Sequence, residues 1–203
     1  MGLESKSVFA GTEQIRLFIA IPVPDEVCAT LRQVQSGLKK LLSDKAAVWT
    51  KPDGMHLTLR FLGNVNSERI PELSQRLSGA LAGLGRLDLV CERLGCFPDL
   101  RFPRVVWAWV HDDAERLARL HRRIDEAVGV FAEKPTEARF VGHITLARLK
   151  QVSRRDAGLL ARFVEGAGHR RFGDWHVNSV ALIRSHLSAA GATHEELLQT
   201  SLL

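Results

Sequence analysis

Little in this sequence points to metal, membrane or disulfide chemistry. Its 203 residues hold three cysteines, Cys28, Cys91 and Cys96. That odd number, with no CxxC or mixed Cys/His ligand spacing and no secretory apolar segment ahead of it, argues against a disulfide framework, and a reducing cytoplasm is the expected compartment. No apolar run approaches the ~18 to 20 residues of a membrane span. Neither GxxxxGK(S/T) nor GxGxxG occurs, which argues against a nucleoside triphosphatase or a dinucleotide enzyme, and the histidines show no HExxH spacing. No linker rich in Gly, Ser or Pro divides the chain, so two independent domains are not expected.

What is present is positive charge and a sufficient core. The formal charge is +5 with a sequence pI near 9.5, and the excess is rich in arginine, with doublets at Arg122-Arg123, Arg154-Arg155 and Arg170-Arg171. Such a surplus favours polyanionic ligands or serves as ordinary solubility charge. The 45% apolar content suffices to bury a core in a chain of this length.

Hydrophobic periodicity orders the elements. Arg16 to Pro22 is an apolar run ended by a residue that cannot donate to a ladder, which predicts a strand over 15–21. Pro24-Asp25-Glu26 opens a helix on which Val27, Leu31, Val34 and Leu38 keep helical spacing to residue 42. A strand over 55–62, closed by Gly63-Asn64, and a helix carrying Ile70, Leu73, Leu77 and Leu81 complete a β-α-β-α half. The second half echoes it, with strands over 87–94 and 105–110, a helix from Asp112 to Val128 and a strand over 142–149. A helix over 154–165 and two terminal strands, 175–184 and 192–199, follow. The expected class is α+β, bilobal, with two pseudo-symmetric lobes of sheet and helix around a central cleft. Residues 1–14 are read as a flexible leader and 15–203 as one bilobal domain.

One motif occurs twice, as His56-Leu57-Thr58-Leu59 and His143-Ile144-Thr145-Leu146. On a strand, residues i and i+2 share a face. Each copy therefore presents an imidazole and a hydroxyl together, and Leu57, Leu59 and Phe61 are read toward the core. Imidazole exchanges protons around neutrality, and a threonine hydroxyl donates to phosphate oxygens. A solvated strand face explains either copy alone. Two copies in strands of one pattern point instead to a divided phosphoryl-transfer site.

With Arg16-Leu17-Phe18-Ile19-Ala20-Ile21, Met55 to Gly63, Gly95-Cys96-Phe97-Pro98, Pro103 to Trp107 and Gly142 to Arg148, the chain resembles the two-histidine (2H) phosphoesterases. Within them it is similar to the RNA 2′,3′-cyclic phosphodiesterases, historically called 2′-5′ RNA ligases. Two departures stand out. The family usually has proline directly before its second motif histidine, where this chain has Gly142, and an aromatic is common near the position of His194.

The resemblance implies hydrolysis of a 2′,3′-cyclic phosphate on RNA ends or nucleotides to a 2′-phosphate. It also implies no obligatory metal or nucleotide cofactor, and neither a membrane nor an obligatory protein partner is expected. By family precedent His56 is the proton donor and His143 the proton acceptor, while Thr58 and Thr145 hold the non-bridging oxygens. Sequence chemistry alone does not distinguish the acid from the base. Arg60 falls on the His56/Thr58 face of a regular strand and Arg148 follows the second motif, so either steadies phosphate or forms a structural salt bridge. Phe18 stacks a base or packs in the core, and Trp107 and Trp109, sharing a face, are read as core. His111, His121, His169, His176, His186 and His194 are read as surface or structural. Three rival readings remain: 2′-5′ RNA ligation, opening of another cyclic nucleotide or a 2′-5′ oligonucleotide, and a non-catalytic RNA-binding module.

Overall fold

Ile15, Leu17, Ile19 and Ile21 alternate along the first strand, each no more than 1% exposed, which commits one of its faces to the core. In the computed structural model, which describes residues 13–135, 139–188 and 191–202, this strand is β1 (Gln14–Pro22). It is followed by α1 (Asp25–Leu41), β2 (Ala47–Trp49), β3 (His56–Asn66), α2 (Ile70–Leu81), β4 (Leu87–Phe97) and β5 (Val105–His111). Then come α3 (Arg116–Val128), β6 (His143–Leu149), α4 (Arg154–Gly166), β7 (Arg171–Val177), β8 (Ser179–Ser188) and β9 (Gly191–Ser201). The expected leader falls, for residues 1–12, outside the described residues, and Gln14 already belongs to β1.

The strands form one antiparallel sheet in the order β7-β4-β5-β6-β3-β1-β8-β9, with β2 added along β6. Its centre is the seam between β3 and β6, where Leu57 faces Ile144. The two-lobed α+β expectation stands, but the lobes are not the two halves of the chain. β8 and β9 return to β1, and the helices cross over: α1 packs on β6, β7 and α4, while α3 packs on β3 and α2. Each half of the sequence thus covers sheet from the other, which is why no linker divides it.

Local chemistry accounts for the helices. In α1 the buried stripe is Val27, Leu31, Val34 and Leu38, with Asp25 and Glu26 in its first turn and Lys39 and Lys40 in its last, each sign matched to the helix dipole. α4 starts in a capping box between Ser153 and Asp156. α3 begins later than its sequence suggests. The Asp112 carboxylate accepts from the N–H groups of Arg116 at 2.7 Å and Leu117 at 3.0 Å, so it caps the helix from outside.

Three strand boundaries also differ from expectation. β3 runs through Gly63 to Asn66 because that glycine adopts φ +81°, where a Cβ would lie 2.2 Å from Glu133 Oε2, and the strand bulges instead of ending. β4 extends to Phe97, shortening the loop before β5. The terminal region holds three strands rather than two, broken at Asn178, whose carbonyl accepts the Leu202 N–H at 2.9 Å. No glycine or proline marks that break. β2 is three residues long, too short to show a period. None of the described helices is long and apolar enough to cross a membrane.

Candidate active site

Leu57 and Ile144, both 0% exposed, are the cross-strand pair at the seam. In an antiparallel ladder this register sets His56 opposite Thr145 and Thr58 opposite His143. Two imidazoles and two hydroxyls therefore share the open face, related by a pseudo-twofold through the buried pair. The helices cover the other face.

Burial follows one pattern in both strands. Each motif histidine and threonine is half-buried, the residues between and after them are buried, the next position (Arg60 or Ala147) is buried as well, and the one beyond (Phe61 or Arg148) is exposed. Pairing explains this. β1 skips Leu59 between Ile19 and Ala20, and β5 skips Leu146 between Val106 and Trp107, so each motif ends in a bulge that inverts the alternation. Arg60 is consequently turned away from His56 and Thr58. It pairs with Asp125 of α3 at 3.0 Å and donates to the Lys134 carbonyl at 2.8 Å. Phe61, expected in the core, is 56% exposed and lines the cleft, as does Arg148.

The second bulge is held from α1. The Leu146 carbonyl accepts from Gln35 Nε2 at 2.8 Å and from the Thr50 N–H at 3.0 Å, while Gln35 Nε2 also reaches the Thr50 carbonyl at 2.9 Å. Gln35 is only 4% exposed. A lone glutamine in an amphipathic helix carries no sequence signal for that role.

A cavity of about 360 Å³ opens over His56, Thr58 and Thr145, with Phe18, Trp49 and Phe61 in its wall and Arg16, Lys51 and Arg148 supplying positive charge. Phe18 is 3% exposed, yet its ring lies 4.7 Å from that of His56 and 5.9 Å from that of Phe61, so it floors the cleft from within the core. Burial, followed by the neighbouring His194 and His143, pushes the His56 pKa down to about 4.

His143 lies beyond this cavity's lining, on the far side of Thr58. Its ring meets Phe97 edge-on at 5.0 Å and lies 6.2 Å from that of Trp107. Its Nδ1 is 2.7 Å from the Val141 carbonyl, which makes Nδ1 the N–H donor and puts the lone pair of the neutral ring on Nε2. Gly142 fits here through close approach. Its carbonyl takes the Val110 N–H at 2.9 Å, and a Cβ on it would stand 2.4 Å from the Val110 oxygen.

Two sequence assignments change. Trp107 and Trp109 are not core residues: Val106, Ala108 and Val110 take the buried face of β5, leaving both indoles half-buried on the cleft face opposite Thr145 and His143. His194, read as surface or structural, meets His56 edge-on at 5.2 Å and Phe18 at the same centroid distance. It arrives on β9, and no local spacing announces it. Among the described residues, no three His, Cys, Asp or Glu side chains converge to hold a metal ion.

A family model described as LigT like Phosphoesterase matches residues 21–107 and 110–193. The RNA 2′,3′-cyclic phosphodiesterase of Thermus thermophilus is 33% identical over 200 residues, spanning 93% of this chain and 90% of that protein. The protein of the same name from Methanothermobacter thermautotrophicus is 27% identical over 184 residues, or 91% and 97% of the two chains. Among solved structures, a Thermus thermophilus protein aligns with TM-score 0.76 at 28% identity, covering 93% of this chain and 98% of its own. E. coli LigT complexed with 3′-AMP shares the fold, with TM-score 0.73 at 22% identity and coverage of 93% and 98%. Both matched segments carry a motif histidine and threonine, and the chain belongs to the LigT-like phosphoesterase family.

Proposed function

We propose that this protein opens the 2′,3′-cyclic phosphate of an RNA end or nucleotide by hydrolysis to a 2′-phosphate, using its own imidazoles as acid and base and no metal. The observation that carries this reading is the antiparallel seam that puts His56 beside Thr145 and Thr58 beside His143. In-line displacement at phosphorus needs a base on the entering side and an acid on the leaving side, and two imidazoles related by a pseudo-twofold meet that need. His143 Nε2 takes a proton from water as the water oxygen attacks phosphorus. The P–O3′ bond breaks, and His56 gives O3′ its proton. The Thr58 and Thr145 hydroxyls donate to the non-bridging oxygens, and Arg16, Lys51 and Arg148 offset the charge of the strand. The relatives named RNA 2′,3′-cyclic phosphodiesterase support the substrate class.

The test is incubation with a 2′,3′-cyclic-phosphate oligonucleotide in excess EDTA, followed by location of the phosphate in the product. A 2′-phosphate supports the proposal. A 3′-phosphate or dependence on metal contradicts it, a joined strand indicates ligation, and binding without turnover indicates an RNA-binding module.

One observation favours a second reading of the roles. Burial disfavours a proton on His56 in the free protein, pushing its pKa down to about 4, which suits a base, and the roles then exchange. In the first reading the phosphate's negative charge restores the proton to His56 as substrate binds. Both readings give a bell-shaped pH profile, and kcat/KM, which reports the free protein, is expected to keep its acidic limb near pH 4. The acidic limb of kcat is expected at higher pH, because bound phosphate favours imidazolium. These limbs belong to the coupled pair. Replacing the acid by glutamine removes the alkaline limb from residual activity, and replacing the base removes the acidic one. Loss of the acidic limb in His56→Gln would exchange the two roles.

Thr58→Val and Thr145→Val keep β-branching and lose only the hydroxyl. Each is expected to lower kcat/KM by ~10²-fold with little change in thermal stability. Full activity in both folded variants would remove the hydroxyls from the phosphate site.

The three cysteines are free and buried, and burial pushes the thiols of Cys91 and Cys96 up to about 12, leaving them inert. That supports a reducing, cytoplasmic setting.

A further inference from the structure

His194 reaches the site from outside both motifs. It sits on β9 opposite Ser185 of β8, and the turn at Pro52–Gly54 packs beneath it, with the Gly54 Cβ position 3.8 Å from its Cε1. Its ring stands perpendicular to that of His56, at 85° and 5.2 Å, and edge-on to Phe18 at 78°. Behind the pair lies a second cavity of about 590 Å³, and His56 and His194 line both it and the catalytic cleft. The two imidazoles are thus the partition between them. The charged groups facing this partition differ by side. Arg16 of β1, Lys51 and Arg148 of β6 line the catalytic side, while Asp25 and Arg32 of α1, Asp53 and, on its own strand, Glu196 line the other. Glu195 is engaged by His186 at 3.0 Å and does not face the pair.

We propose that His194 is a positioning residue of this reaction: its ring braces that of His56, and a positive charge on it adds to burial in opposing a proton on His56 until an anionic substrate is seated. The proposal rests on the acid–base function assigned to His56 above. Like charges on adjacent rings disfavour a second proton, and a phosphate held by Thr58 and Thr145 attracts both. Protonation of His56 then accompanies substrate arrival. Burial is the first cause of the lowered proton affinity of His56, and the charge of His194 comes next, ahead of that of His143, which agrees with this geometry.

The experiment follows the His56 ring by NMR through a pH titration of the free protein, in the wild type, His194→Phe and His194→Ala. Phenylalanine keeps a ring without a charge, and alanine removes both. The His56 midpoint is expected to rise by roughly half a pH unit or more in both variants. With the cyclic-phosphate oligonucleotide, His194→Phe is expected to keep kcat within about threefold, whereas His194→Ala loses about tenfold through a loosened His56. An unchanged midpoint in His194→Phe overturns the electrostatic role, whatever alanine does, and equal loss of kcat in both variants overturns the brace. The midpoint is read without substrate, so it judges His194 even if the wild type fails to open a cyclic phosphate, a result that would instead refute the function assigned to the site.

Discussion

His56→Ala and His143→Ala are each expected to lose at least the ~10²- to 10⁴-fold in kcat that a positioned acid or base contributes. Both rings are half-buried on the open face, with Leu57 and Ile144 holding their strands from the other side, so truncation leaves the core untouched. In the proposed displacement the two serve one step, so the double variant is expected to fall little below the worse single one. Turnover of a 2′,3′-cyclic-phosphate oligonucleotide in EDTA measures this, with circular dichroism confirming the fold. Near-normal kcat in either folded variant would refute the divided site.

The second large effect concerns stability. Asp125→Ala is expected to cost roughly 2–3 kcal/mol, below the ~3–5 kcal/mol for breaking a fully buried ion pair, because Arg60 is 9% exposed but Asp125 is 25% exposed. In a chain of this size that lowers Tm by roughly 5–10 °C. The loss arises because the Arg60 guanidinium stays buried with the Lys134 carbonyl as its remaining partner among the described residues. Arg60→Met, which keeps the stem and removes the charge, is expected to cost less. Neither change is expected to alter kcat/KM below the melting transition, whereas Arg148→Ala is expected to weaken substrate binding and spare Tm, since Arg148 is exposed on the cleft. An Arg60→Met variant that stays stable but loses substrate binding would put Arg60 back at the phosphate.

These two arginines also mark how far the primary structure could be read. The motifs, their shared face and the amphipathic helices were legible because each depends on spacing within one element: i and i+2 for His56 and Thr58, i and i+3 or i+4 for Leu31, Val34 and Leu38. The expectation of acid–base chemistry followed from residue type. Phe61 was misplaced, and Arg60 took the salt-bridge alternative over the phosphate one, because a bulge is a property of two strands. Nothing inside Thr58-Leu59-Arg60-Phe61 says that β1 will skip Leu59. Alternation in Val105 to Val110 likewise revealed two faces of β5 without saying which would be buried, and the small and branched residues went inward while both tryptophans faced the cleft.

Contacts between distant segments were beyond any local pattern. Gln35 meets the Leu146 carbonyl, Asp125 meets Arg60, and His194 meets His56 only after β8 and β9 have folded back onto β1 and α1 has crossed to the opposite lobe. Side-chain period and ionisation chemistry are carried by each segment alone, and they give the two alternating faces of a strand and the kind of chemistry its side chains can support. Strand register, and therefore which side chain faces the phosphate, is settled by the partner strand, which becomes a neighbour only when the sheet closes.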